Sequence, residues 1–116
     1  MGGAGASGGV DRFAPCPHSR MFDRQVPVAS TPLVRLLGLA HLDRDAAPAG
    51  LLIPRCRCVH TFGMRFALDL YFLDGSGEVV EERRAVAPRR LAFCARSRAV
   101  LELPAAEGGE FAALGH

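Results

Sequence analysis

A continuous apolar run from Phe66 to Leu73, followed directly by the turn Asp74-Gly75-Ser76-Gly77, places the strongest constraint on how this chain can fold. Side chains alternate across a strand. One face therefore holds Leu68, Leu70 and Phe72, and the other holds Asp69, Tyr71 and Leu73. A strand that is largely apolar on both faces is typical of the centre of a sheet. The Gly-rich turn predicts a hairpin that returns through Glu78-Val79-Val80-Glu81.

Two more short apolar runs end at a proline, which cannot continue a sheet ladder. Leu51-Leu52-Ile53 stops at Pro54, and Ala99-Val100-Leu101-Glu102-Leu103 stops at Pro104. Weaker extended pieces are expected at residues 24–29, 56–61, 86–88 and 91–94. The first of these contains Pro27, which restricts it to an edge.

One helix is predicted before these strands. Thr31 is its N-cap, Pro32 takes the first helical position, and Gly38 or a residue soon after ends it. Its apolar stripe would consist of Leu33, Val34, Leu36 and Leu37. Several short strands with frequent turns predict a mainly β protein, with a sandwich- or barrel-like antiparallel sheet and one short N-terminal helix.

The 116 residues fit one domain. Residues 1–20 are rich in Gly and contain Pro15 and Pro17, so we expect a flexible tail, followed by a single β-rich domain over residues 21–116. We see no signal peptide, and no apolar run approaches the ~20 residues that cross a bilayer. A soluble cytoplasmic protein with no membrane partner is therefore the expectation, with its four cysteines as thiols.

All 14 basic residues are arginines, but the net charge is only +2. Six of them fall in one stretch, at Arg83, Arg84, Arg89, Arg90, Arg96 and Arg98. Glu81 and Glu82 come just before this stretch, and aromatic residues are nearly absent from it. The pattern favours a solvated surface over a nucleic-acid interface.

Three groups of short motifs resemble one known family. They are Ala29-Ser30-Thr31 with Arg35-Leu36 and Gly38-Leu39; Val59-His60-Thr61-Phe62-Gly63-Met64 with Leu68-Asp69, Phe72-Leu73-Asp74, Gly77 and Val79-Val80; and Val100-Leu101-Glu102-Leu103-Pro104-Ala105. Together they resemble the family called domain of unknown function 192, over roughly residues 26–105. The resemblance implies a compact, mainly β, sandwich-like fold with a short helix near its start. It implies no assigned activity.

The chain departs from this resemblance near its end. Where the family leads us to expect a Gly-Asp turn and a last strand, this chain has Ala105–His116. A missing strand would expose the backbone of its neighbour, and such an edge invites pairing with another chain. We therefore expect either a homodimer through that edge or a marginally stable monomer. Alternatively, Phe111 and Leu114 fold back to cover the gap.

Asp69 is the first residue that could carry chemistry, because a carboxylate inside an apolar strand must be paired or hydrogen-bonded. One interpretation makes it an acid, a base or a ligand-orienting group near His60. The other makes it structural, holding a neighbouring loop through backbone N–H groups or through Arg35 or Arg65. Structural networks also use buried acids.

The segment His60-Thr61-Phe62-Gly63-Met64 is the second candidate, since Gly63 permits a tight turn or bulge. His60 could act as a base, a ligand or a hydrogen-bond donor. Alternatively, His60 and Thr61 close the hydrogen bonds of the turn, while Phe62 and Met64 pack in the core. The sequence leaves both interpretations open.

Cys56 and Cys58 point to one face of an extended segment, and with Cys16 and His18 they could form a zinc site on paper. Standard zinc motifs place two to four residues between paired cysteines, and here there is only one. We therefore predict no metal site, and the sequence indicates no cofactor.

Two functional hypotheses remain. The first is a binding module for a small molecule or a protein. Its site would consist of Arg35, His60, Thr61, Met64 and Asp69. The second is a small enzyme in which His60 and Asp69 act as acid and base, which requires hydrogen-bond reach between them, directly or through one water.

Overall fold

The computed structural model of the chain describes residues 11–106. In chain order its elements are β1 (His18–Met21), β2 (Arg24–Pro27), α1 (Pro32–Leu37), a 3-10 turn (Arg44–Ala46), β3 (Leu51–Pro54), β4 (Cys58–His60), β5 (Leu68–Leu73), β6 (Val79–Val86), β7 (Leu91–Phe93) and β8 (Ala99–Pro104). In this part of the chain, no helix is long and apolar enough to cross a membrane. The predicted absence of a last strand concerns residues 107–116, which lie outside the described residues.

The main sheet has the strand order β3-β8-β5-β6, and every neighbouring pair is antiparallel. Strand β5 lies inside this sheet, and its residues Leu68, Leu70 and Phe72 are fully buried. The turn from Asp74 closes with a bond from the Asp74 N–H to the Glu78 carbonyl. The predicted central strand and its hairpin are therefore confirmed.

Two smaller antiparallel sheets, β1–β2 and β4–β7, accompany the main sheet. The larger core cluster joins Leu70 and Phe72 of the main sheet to Val59 of β4 and Ala92 of β7. A second cluster joins the other face of the main sheet, including Leu101, to residues of β2. The prediction of a mainly β, antiparallel protein with one short helix is confirmed, and its layered packing is sandwich-like.

Helix α1 begins as predicted. The Thr31 hydroxyl accepts a hydrogen bond from the Val34 N–H at 3.1 Å, and Gly38 ends the helix with a bond to the Val34 carbonyl. The predicted apolar stripe is wrong, because Leu33 and Leu36 are exposed and only Val34 is buried. A helix of six residues is too short to bury a full stripe, so Leu33 and Leu36 lie in solvent and Leu37 is half-buried.

Residues 11–20 belong to the segment predicted as a flexible tail, and part of this segment packs against the rest of the domain. Phe13 and Cys16 are buried in the main core, and residues from His18 onward pair with β2. Apolar side chains that pack in the core outweigh the local Gly and Pro content, because their burial offsets the entropy lost on ordering. Residues 1–10 lie outside the described part of the chain.

Candidate functional site

The most unusual side chain in the structure is Glu102 in β8. It pairs with Leu51 on one side and Leu70 on the other, so its carboxyl group lies in the middle of the main sheet. Only 3% of the residue is exposed, and Oε1 has no hydrogen-bond partner among the described residues. Burial disfavours the charged form and raises the pKa of Glu102 to about 8.

A small pocket of about 50 Å³ opens over this carboxyl group. We call it the Glu102 pocket, and its walls are Arg35, Leu36, Leu37, Gly38, Ile53, Cys56, Cys58, Val59, His60 and Met64. Gly38 has a φ of +56°, and a Cβ added there would lie 3.1 Å from Oε1 of Glu102. The glycine that ends α1 therefore leaves room for the carboxyl group.

Arg35 contributes charge to the pocket without neutralising the acid. Its guanidinium donates to the Pro54 carbonyl at 2.6 Å and to the Arg55 carbonyl at 3.2 Å. These bonds fix the end of β3 to α1. Carbonyl oxygens carry no net charge, so the guanidinium retains its full positive charge at the pocket wall.

His60 is held through both ring nitrogens. Nε2 lies 3.1 Å from the Leu36 carbonyl, and Nδ1 accepts a hydrogen bond from the Phe62 N–H at 3.2 Å. These partners assign the ring proton to Nε2, because a carbonyl can only accept. Neither nitrogen is free to take a proton from a substrate unless a bond to the backbone breaks first.

A second, shallower cavity of about 260 Å³ adjoins the Glu102 pocket and shares Leu36, Leu37 and His60 with it. We call it the vestibule, and its remaining walls are Ala40, His41, Phe62 and Gly63. Phe62 is half exposed and its ring centre is 5.8 Å from that of His60. Gly63 has a φ of +82° with His41 close behind it, so the tight turn predicted at Gly63 is present.

Thr61 lies away from both cavities and joins two loops. Its buried hydroxyl donates to the Ala87 carbonyl at 2.8 Å and accepts from the Arg90 N–H at 2.8 Å. Of the two interpretations of this segment, the geometry favours the one in which His60 and Thr61 close local hydrogen bonds. Met64 is buried as that interpretation requires, whereas Phe62 is not.

Asp69 also lies outside both cavities. Its Oδ1 accepts a hydrogen bond from the Ala85 N–H at 2.7 Å, and its Oδ2 is 3.5 Å from Nε of Arg84. Ala85 has a positive φ of 53° in β6, so Asp69 holds an irregular part of that strand in place. The structural interpretation of Asp69 is supported, and its partner is Arg84 rather than Arg35 or Arg65.

Of the five predicted site residues, the structure brings three together at the Glu102 pocket, namely Arg35, His60 and Met64. Thr61 and Asp69 are elsewhere, and no hydrogen bond joins His60 to Asp69 among the described residues. Glu102 was missed by the sequence reasoning. Glu102 carries the same sequence signal as Asp69, because each is a lone carboxylate between apolar neighbours in a strand.

The four cysteines are all free thiols, and they differ in exposure. Cys16 and Cys94 are buried, Cys58 is exposed, and Cys56 is half-buried with its thiol 3.3 Å from the Cys58 carbonyl. Burial raises the pKa of Cys56, which makes its thiol less reactive. Among residues 11–106, no group of three or more His, Cys, Asp or Glu side chains is arranged to hold a metal ion.

The family model of DUF192, described as an uncharacterized ACR, matches residues 17–115. The fold is similar to the crystal structure of a candidate transcription regulator from Sinorhizobium meliloti 1021, with a TM-score of 0.63 and 21% identity over 76% of this chain and 74% of that one. It is also similar to a protein of unknown function from Novosphingobium aromaticivorans DSM 12444, with a TM-score of 0.55 and 14% identity over 82% of this chain and 76% of that one. These likenesses show the fold alone. No curated protein matches the chain.

Proposed function

We propose that this chain, which belongs to the DUF192 family, is a binding module whose small-molecule ligand places a polar group in the Glu102 pocket. The observation that carries the proposal is the buried Oε1 atom without a hydrogen-bond partner among the described residues. Leaving a buried polar atom unpaired costs about 1–3 kcal/mol. A ligand that donates a hydrogen bond to this atom recovers that cost.

The two cavities suggest the shape of the ligand. The Glu102 pocket, at about 50 Å³, has room for one polar group or a water molecule but not for a whole ligand. The vestibule beside it is larger, and its walls include Leu36, Phe62 and the imidazole rings of His41 and His60. A ligand with an apolar or aromatic body in the vestibule and a polar head in the Glu102 pocket would fill both cavities.

The charges around the pocket disfavour a cationic head. With a pKa of about 8, Glu102 is mostly protonated at neutral pH, and a protonated carboxyl group both donates and accepts. A cationic head would be repelled by Arg35 in the same wall. A primary amide or a hydroxyl group matches the donor and the acceptor together.

An acid–base role for His60 and Asp69 is not part of the proposal, because both ring nitrogens of His60 are bonded to the backbone and Asp69 is bonded to Ala85. We place the module in a reducing compartment such as the cytoplasm, which suits its four free thiols.

The test uses three small probes that share an aromatic body, namely benzamide, benzyl alcohol and toluene. A ligand that binds only the native state raises the melting temperature. We expect benzamide and benzyl alcohol to stabilise the wild-type protein more than toluene, which has no polar group. Substitution of Glu102→Leu should abolish that preference, because it removes the carboxyl group from the pocket. Amide shifts in NMR spectra should locate the binding at Gly38 and His60.

Glu82→Leu is the matched control, since it removes a carboxyl group from the exposed face of β6. It should leave the probe preference unchanged. The proposal is overturned if the amide and alcohol give no more stabilisation than toluene, or if Glu102→Leu binds them as the wild type does. Because Glu102→Leu fills the pocket, Glu102→Gln serves as a second variant, which should still bind benzamide.

A further inference from the structure

A broad open groove of about 1170 Å³ shares Cys56 and Cys58 with the Glu102 pocket as lining residues. Four arginines line it, at Arg55, Arg57, Arg96 and Arg98. We propose that this arginine groove binds a small molecule that carries two or more phosphate groups. The proposal does not depend on the ligand of the Glu102 pocket.

The two loops that carry the arginines are fixed to one another. Ser97 is fully buried, and its hydroxyl donates to the Cys56 carbonyl at 2.8 Å. The Cys56 N–H in turn bonds to the Arg98 carbonyl, and the Cys94 N–H bonds to the Arg57 carbonyl. The backbone under each arginine pair is therefore held in place before any ligand arrives, which lowers the ordering cost of binding.

The positive charge of the groove is only weakly opposed. Its one acidic residue is Asp74, whose carboxylate accepts hydrogen bonds from the Ser76 N–H, the Ser76 hydroxyl and the Glu78 N–H. These hydrogen bonds lower the pKa of Asp74 and engage its carboxylate within the turn between β5 and β6. Among the described residues, four arginines thus line the groove together with one carboxylate that is already hydrogen-bonded.

Three of the guanidinium groups are available to a ligand. Among residues 11–106, no hydrogen bond or ion pair engages the side chains of Arg55, Arg57 and Arg98. Arg96 donates to the Val80 carbonyl at 3.1 Å and keeps further N–H donors. By contrast, Arg83 and Arg84 on β6 are paired with carboxylates of the same sheet.

Arginine presents a planar fork of N–H groups that matches the oxygens of a phosphate, and such charge-assisted bonds are about twice as strong as neutral ones. The arginines come as two pairs from two loops, so two phosphate groups can be held at once. The groove is large enough for a nucleoside diphosphate, since pockets for small ligands typically measure roughly 300–1,000 Å³. This set of properties identifies the ligand class as a polyphosphate ester.

Isothermal titration at physiological ionic strength tests the proposal with ADP, inorganic pyrophosphate and inorganic phosphate as probes. The groove variant is Arg57→Gln with Arg98→Gln. The matched control is Arg20→Gln with Arg89→Gln, which removes the same net charge from exposed positions outside the groove. The groove variant should weaken ADP binding by about tenfold or more, and the control by about twofold or less.

Two further measurements sharpen the test. Arg57→Lys with Arg98→Lys keeps the charge and loses the fork, so it should weaken ADP binding to an intermediate degree. Cys58, the one exposed thiol of the four, lines the groove, and ADP should slow its alkylation in the wild-type protein.

The proposal is overturned if ADP and pyrophosphate do not bind, or if groove and control variants lose affinity equally, which would indicate attraction to net charge alone. It is also overturned if a short single-stranded oligonucleotide binds more tightly than ADP through the same arginines. Neither result would bear on the Glu102 pocket, because the benzamide series contains no phosphate.

Discussion

Gly38 and Glu102 share one small space, because the position of a Cβ on Gly38 would be 3.1 Å from Oε1 of Glu102. The glycine ends α1, and the acid lies at the centre of the main sheet. A side chain at position 38 would therefore enter the Glu102 pocket, where the helix end meets the interior of the sheet.

Gly38→Ala is expected to lower the free energy of unfolding by about 1–3 kcal/mol, since its φ of +56° and ψ of −125° suit glycine alone. Urea denaturation measures the change. Gly77→Ala is the control, because Gly77 has a φ of +87° with nothing within 4 Å of the added Cβ. An effect at Gly38 no larger than at Gly77 would show that the approach of the added Cβ to Glu102 contributes nothing.

Glu102 should make stability fall as the pH rises. Its pKa is raised from 4.5 to about 8, so between these values the folded state binds more protons than the unfolded state. The stabilisation is fully present below pH 4.5 and is lost as the pH rises through about 8, at up to roughly 1.4 kcal/mol per pH unit. Denaturation across this range should show a shallower slope for Glu102→Gln than for the wild-type protein.

Leu70→Ala should cost about 2–5 kcal/mol of unfolding free energy, because the side chain is fully buried in β5. The comparison is Leu91→Ala on β7, where the leucine is largely exposed and the expected change is within about 0.5 kcal/mol. Equal losses at both positions would contradict the central placement of β5.

Asp69→Ala should destabilise the fold by about 1–3 kcal/mol, since the Ala85 N–H and Arg84 lose their partner. Asp69→Asn keeps an oxygen for the Ala85 N–H and should cost less. Thermal melts separate the two variants. If Asp69→Ala melts like the wild type but loses ligand binding, Asp69 is functional rather than structural.

A homodimer through an exposed edge is one of the outcomes that the sequence leaves open, and it remains a prediction. Strand β6 ends the main sheet, and on its outer side no strand pairs with it among the described residues. We expect sedimentation across a concentration series to show a dimer, with slower amide exchange along β6 in the dimer. A monomer at every concentration, with β6 amides already protected, would contradict pairing through this edge.

The sequence predicted those parts of the fold that depend on neighbouring residues. The β5–β6 hairpin and the cap at Thr31 follow from local patterns, and both are present. The Glu102 pocket depends on elements far apart in the chain, because Gly38 and His60 meet the acid only after the sheet forms. The assignment of Asp69 to Arg84 failed for a different reason, because the register between β5 and β6 shifts between Leu68 and Leu70 and the sequence does not show this irregularity.

The strand order β3-β8-β5-β6 has a consequence for how the protein is made. During synthesis, β5 and β6 can pair as soon as both have been translated, whereas β3 waits for β8, the last of the described strands. Such non-local pairing slows folding and leaves apolar edges open in the meantime. The nascent chain therefore completes its sheet only after the ribosome has passed Pro104. Until β8 is available, the edges of β3 and β5 that pair with it are open to pairing with other chains.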